Sequence, residues 1–211
     1  MPAQKPRIAF QGIAGAYSDI AADELYPACK KLCCATFADA LAALDENRAD
    51  RALIPVTNTI AGPVTDALAA LRAAGGNAAE KKAYAVEKIL WLPVRHCLLA
   101  LPEARIDDLR AVYSHWQALA QCRKSIARLR LKPVEAGDTA GAAKQVAAAK
   151  DAAKAVIASA AAAKTYGLAV LKENFEDAAG NRTLFFAVVP ADGGQPSKNT
   201  PLKDALKMHG L

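Results

Sequence analysis

Short apolar runs alternate along this chain with stretches of helical pattern, and glycine, proline or hydroxyl residues punctuate the joins. The first run, Arg7-Ile-Ala-Phe10, stops at Gly12, as a buried strand ending in a turn would. Tyr17-Ser18-Asp19 then opens a helix with Ser18 at the N-cap. A helix over residues 38–47 leads to a strand from Arg51 to Val56 that closes on Thr57-Asn58-Thr59, and Thr65 caps a helix to about Ala74. Tyr84 to Leu92 and Cys97 to Leu101 are extended apolar segments hinged at Pro93. The alternation then repeats, with strands at Ala111–Tyr113, Lys132–Ala136 and Val156–Ala158, each followed by a helix. Leu168 to Leu171 and Thr183 to Val189 are the last strands, and residues 191–211 read as a tail with one short helix at 201–209. This order means an α/β protein with mostly parallel sheets.

In such sheets ligands meet the loops just past the carboxyl ends of strands. Four polar clusters stand there: Gln11 to Ser18, Thr57 to Thr59, Ser114 to Gln117, and Asp138-Thr139. A chain that is 53% hydrophobic and 23% charged is a folded domain and not a disordered one. The net charge of +6 is spread along the sequence, with no basic stripe interleaved with aromatics, which excludes a nucleic-acid footprint and suits a small anionic substrate. No apolar run reaches the roughly 18 to 20 residues of a membrane span, and the start lacks the apolar region of a secretory signal. Five cysteines, an odd number, favour a reducing compartment, and the expected location is the cytoplasm. Cys29, Cys33 and Cys34 have no histidine nearby and fit no zinc spacing, so they read as thiols on a helix and the strand after it. Gly12-x-x-Gly15 is too sparse for a dinucleotide fingerprint and no nucleophilic triad is laid out, so no cofactor is expected.

Four segments together resemble the catalytic module of the prephenate dehydratase family, including its arogenate-using relatives. They are Phe10-Gln-Gly-Ile-Ala-Gly-Ala-Tyr-Ser18; Pro55-Val-Thr-Asn-Thr-Ile-Ala-Gly62; Leu92-Pro-Val-Arg-His-Cys-Leu-Leu99 with Ser114-His-Trp-Gln-Ala-Leu-Ala-Gln-Cys122; and Asp138-Thr-Ala-Gly-Ala-Ala143 with Tyr166-Gly-Leu168. The resemblance covers residues 7 to about 189. It implies two α/β subdomains arranged like a type II periplasmic binding protein, with the active site in the cleft between them. Residues 7–94 plus 167–190 would form the first subdomain, 95–166 the second, and 191–211 a tail. Because the chain ends at Leu211, the ACT domain that senses phenylalanine in many relatives is expected to be absent. Family members convert prephenate or arogenate to phenylpyruvate or phenylalanine, losing carbon dioxide and hydroxide together. Assembly with further copies of the chain is left open.

Carried over residue by residue, the resemblance makes Thr183 the catalytic hydroxyl, with Ser18, Asn58, Thr59, Gln117 and Thr139 holding the substrate. The motifs also depart from the family. Thr183-Leu184-Phe185 stands for Thr-Arg-Phe, Thr57-Asn58-Thr59 for Glu-Asn-Ser, and Trp116 for the proline of Ser-His-Pro-Gln. Arg182 lies two residues before Leu184, on the same strand face and about 6 to 7 Å away, and is expected to replace the missing arginine in part as an anion contact if the protein is catalytic. Each residue also has a structural reading. Thr183 is an ordinary β-branched strand residue, Asn58-Thr59 an Asx turn, and Gln117 a first-turn helix residue. Ser18 is a cap, and so is one of Asp138 and Thr139. His96 reads as a packed, hydrogen-bonded histidine. Three functional readings follow: a dehydratase, a ligand-binding homologue that lost the chemistry, and a decarboxylase that does not aromatise prephenate. The missing Arg and Glu support the second, and retention of Thr183, Asn58 and Gln117 opposes the third.

Overall fold

The computed structural model describes residues 5–75, 83–191 and 199–211. The described chain divides into two compact units. One holds the described residues up to Gly12, of Ser18–Leu92 and of Arg182–Leu211, and the other holds Ile13–Tyr17 and Pro93–Asn181.

The first unit is built on β1 (Arg7–Gln11), α1 (Tyr17–Leu25), β2 (Lys30–Cys34), α2 (Phe37–Asp45) and β3 (Arg51–Asn58). It adds β4 (Gly62–Pro63), α3 (Thr65–Gly75), β5 (Tyr84–Pro93), β11 (Arg182–Pro190), β12 (Thr200–Pro201) and α8 (Leu202–Met208). Its sheet runs β12-β5-β11-β3-β1-β2, with β4 on β3. Alternate residues of three strands, among them Ala9, Ile54, Val56, Leu184, Phe186 and Val188, are buried in one cluster with Leu41 and Leu44 of α2 and Leu68 and Leu71 of α3. That is the period-2 strand meeting the period-3.6 helix. Thr36 starts α2 with a capping box, its hydroxyl accepting from the Asp39 N–H while the Asp39 carboxylate accepts from the Thr36 N–H.

The second unit contains β6 (Cys97–Ala100), β7 (Ala111–Ser114), α4 (Trp116–Gln121), α5 (Arg123–Arg128) and β8 (Lys132–Glu135). It continues with α6 (Thr139–Ala149), β9 (Lys154–Ala158), α7 (Ala160–Tyr166) and β10 (Ala169–Lys172), in the sheet order β10-β6-β9-β7-β8. The Ile13–Tyr17 segment is tied to α7. The Ser159 hydroxyl donates to the Gly15 carbonyl at 2.7 Å and the Tyr166 hydroxyl to the Ala14 carbonyl at 2.7 Å. Gly15 sits at φ +83°, and a Cβ there would come within 2.8 Å of the Ala162 Cα, so this glycine serves close packing.

The α/β class stands, and three expectations are corrected. Each sheet is mixed. Strands linked through helices run parallel, β1 with β2 and β3, and β7 with β8 and β9. A helical crossover returns the chain to the same end of the sheet. β6 and β11 arrive without one and pair antiparallel with β9 and β3. The return to the first unit falls at Arg182 and not near Gly167, because β10 pairs with β6 (Val170 opposite Leu99) and keeps this stretch in the second unit. The described end of the chain is no loose tail. Thr200 and Pro201 pair with Val86 and Ala85, and Leu202 and Ala205 are buried in the first unit's core. The Asp-Gly-Gly-Gln-Pro-Ser stretch expected to be flexible lies outside the described residues.

Candidate functional site

In both sheets the strand order reverses at one place, since the chain leaves β1 for β2 and returns over it to β3, and leaves β7 for β8 and returns over it to β9. The carboxyl ends of those strands are the switch points at which α/β sheets bind ligands.

In the first unit, Thr183, Asn58, Thr59 and Arg182 come together at the carboxyl end of β3. Thr183 pairs with Asn58 and Leu184 with Thr57, after which the register slips so that Phe185 faces Pro55. The slip falls where β3 carries a proline, a residue with no N–H to give to a ladder, and this bulge sets Asn58 opposite Thr183. The Asn58 Nδ2 donates to the Thr183 Oγ1 at 2.9 Å. The Asn58 Oδ1 accepts from the Ile60 N–H at 2.9 Å and the Ala61 N–H at 2.8 Å, which is the Asx turn foreseen for this loop. The Thr59 N–H donates to the Arg182 carbonyl at 2.9 Å, and the Thr59 hydroxyl accepts from the Arg182 N–H at 2.9 Å. Thr59 thus clamps the backbone on which Arg182 and Thr183 sit.

Burial changes steeply along β11. Arg182 is exposed, with its guanidinium 5.8 Å from the Trp91 ring centre and one N–H donating to the Trp91 carbonyl at 3.5 Å. Thr183 is 9% exposed, and Leu184 is 0% exposed within the helix-facing core. The residue standing for the family arginine is therefore a core residue here.

Ser18 is also in the first unit, buried inside the first turn of α1. It is not the cap expected, because the helix already begins at Tyr17. Gln117 and Thr139 lie in the second unit at the ends of β7 and β8. Gln117 is in the first turn of α4, where its N–H donates to the His115 Nδ1 at 3.4 Å. Burial lowers the His115 pKa, against the nearby charges of Glu135 and Asp138. Thr139 is the first residue of α6, and the cap is Asp138, which accepts from the Gly141 N–H at 2.6 Å. A Cβ on Gly141 would come within 2.5 Å of that carboxylate. Trp116, on the same turn as Gln117, is 55% exposed.

Sequence reasoning missed a second polar assembly, built around His96. This histidine is 3% exposed. Its Nε2 meets the Gln121 Oε1 at 2.8 Å and its Nδ1 the Tyr17 hydroxyl at 3.2 Å. The same Gln121 oxygen accepts from the Asn181 Nδ2 at 2.9 Å, and Glu176 accepts from the His96 N–H at 2.8 Å. Burial pushes the His96 pKa down, opposed by the Gln121 hydrogen bond and the Glu176 charge, and holds the Tyr17 phenol well above its ordinary value. Only His96 was legible in advance, because its partners are far from it in sequence. Among the described residues no cluster of His, Cys, Asp or Glu is arranged to hold a metal, and no helix is long and apolar enough to cross a membrane.

The family model for prephenate dehydratase matches residues 8–192. The chain is 38% identical over 200 residues to arogenate dehydratase 2 of Petunia hybrida, covering 95% of this chain and 48% of the relative. It is 40% identical over 179 residues to a bifunctional N-acyl-homoserine lactone acylase/prephenate dehydratase of Komagataeibacter europaeus, covering 85% of this chain and 61% of the relative. The solved prephenate dehydratase of Arthrobacter aurescens in complex with L-Phe superposes with a TM-score of 0.79 at 26% identity, over 91% of this chain and 62% of that one. The chain spans about half the length of the plant relatives it matches. With the motifs in family order, the switch-point geometry and a match over most of its length, the chain belongs to the prephenate dehydratase family.

Proposed function

We propose that this chain catalyses the decarboxylating dehydration of prephenate or arogenate, with Thr183 as the catalytic residue. The observation that carries the reading is the Thr183 hydroxyl, nearly buried and held by Asn58 at the carboxyl end of β3. In the reaction the carbon–carboxylate bond breaks and its electron pair completes the aromatic ring. The ring carbon–oxygen bond breaks in turn, and the oxygen leaves as hydroxide that takes a proton from solvent. Hydroxide is a poor leaving group, and a fixed hydroxyl donor, here 9% exposed, stabilises the charge that builds on it. Arg182, exposed at the start of β11 and on the strand face opposite Thr183, is a candidate contact for a substrate carboxylate. Ser18, Gln117 and Thr139 remain candidate substrate contacts, and Thr59 acts through the backbone of Arg182.

An odd number of cysteines favours a reducing compartment, and we propose the cytoplasm as the location. The test incubates the protein with prephenate and with arogenate and follows the aromatic product. Thr183→Val should lower kcat by at least about a hundredfold while Thr183→Ser keeps most of it. Ligand binding without aromatic product, or full activity in Thr183→Val, would remove the reading.

A further inference from the structure

We infer that Asn58 is a positioning residue that fixes the direction of the Thr183 proton, and not a substrate contact. The inference rests on the dehydratase reading and begins from the orientation of the Asn58 carboxamide. Its two ends are chemically distinct: the oxygen only accepts and the nitrogen only donates. One end lies against two backbone N–H groups, those of Ile60 and Ala61, at 2.9 and 2.8 Å. Two donors demand the oxygen there, so the end 2.9 Å from the Thr183 Oγ1 is the nitrogen. Thr183 must therefore accept in this hydrogen bond.

A hydroxyl has one proton to give and lone pairs to receive. Because Asn58 occupies a lone pair, the Thr183 proton is directed elsewhere, toward the donor role that hydroxide departure requires. An N–H donor on the oxygen also makes that O–H a better donor, since linked hydrogen bonds polarise one another. The loop turn thereby sets the polarity of a hydroxyl 125 residues away in sequence.

Asn58→Asp tests this with nearly the same shape. One carboxylate oxygen still accepts from Ile60 and Ala61, but the other can no longer donate, so the Thr183 proton is captured by the carboxylate. We expect a kcat roughly a hundredfold lower at neutral pH. We also expect kcat to recover in Asn58→Asp as acid returns a proton to the carboxyl, relative to wild type at each pH. Electrostatic repulsion of the substrate would appear in KM instead. In a Thr183→Val background the Asn58 substitution should cost no further kcat, because it acts through the hydroxyl. Asn58→Ala carries no charge and serves if the aspartate variant does not fold, and it too should lose kcat only while Thr183 is present. A wild-type kcat in both Asn58 variants, or losses that multiply with Thr183→Val, would overturn the inference while leaving the dehydratase reading intact. A wild type that makes no aromatic product would instead end the reading on which it rests.

Discussion

The Asn58–Thr183 pair, reached through an exposed turn, and the largely buried His96 assembly are both side-chain hydrogen-bond chains, yet they end differently. Around His96, both ring nitrogens and the backbone N–H meet protein groups, and Gln121 gathers His96 and Asn181 onto one oxygen. A buried polar set closed on itself holds segments in place. At the carboxyl end of β3 the chain of bonds starts at two backbone N–H groups, passes through Asn58, and stops at a hydroxyl that accepts. In the proposed reaction it is the direction of that last proton that gives the Thr183 hydroxyl its donor role.

The largest effect that sharpens this contrast comes from moving charge one step inward along β11. Leu184→Arg restores the family residue by type but places a guanidinium in the core of the first unit. It should cost about 3 to 5 kcal/mol, the scale of an uncompensated buried charge. Urea denaturation would read this as a large drop in midpoint, and a stable variant with raised kcat/KM would show that the site reaches deeper than Thr183. One step outward, Arg182→Ala should leave stability within about 0.5 kcal/mol, as for an exposed residue. It should raise KM roughly tenfold through loss of a charge-assisted contact, and an unchanged KM would take Arg182 out of the site.

The smallest effect tests the closed network. Burial depresses the His96 pKa below the usual 6.5, so the unfolded chain binds more protons as the pH falls through that value. The stabilisation is present above the unfolded pKa, is lost on acidification, and levels off once the folded histidine has titrated. Between about pH 7.5 and about pH 5.5 the wild type should therefore lose more stability than His96→Asn, as judged by urea midpoints. The carboxylates held low by partners, Glu87 beside Arg51 and Asp50 beside Arg7, titrate below this window. Equal slopes would mean that His96 is not kept neutral by burial.

Short-range periodicity and capping chemistry within a few residues were enough to read the longer strands, most helices and the polar residues at strand ends, but not the two-residue strands β4 and β12. Asp138 and its α6 illustrate this, as does the Asx turn at Asn58. Motif resemblance also singled out Thr183 and Asn58 as candidates, but could not say that they touch. Tertiary structure decided the rest. It decided that β6 and β11 run antiparallel to their neighbours, since hydrophobic period is blind to strand direction. It placed β10 with the second unit and the last helix in the first unit's core, both through pairing or packing with distant segments. It also buried Leu184 while exposing Arg182, and it turned the Asn58 nitrogen toward Thr183. Each of these depends on which residues far apart in the chain are brought within a few ångströms, and no local pattern encodes that.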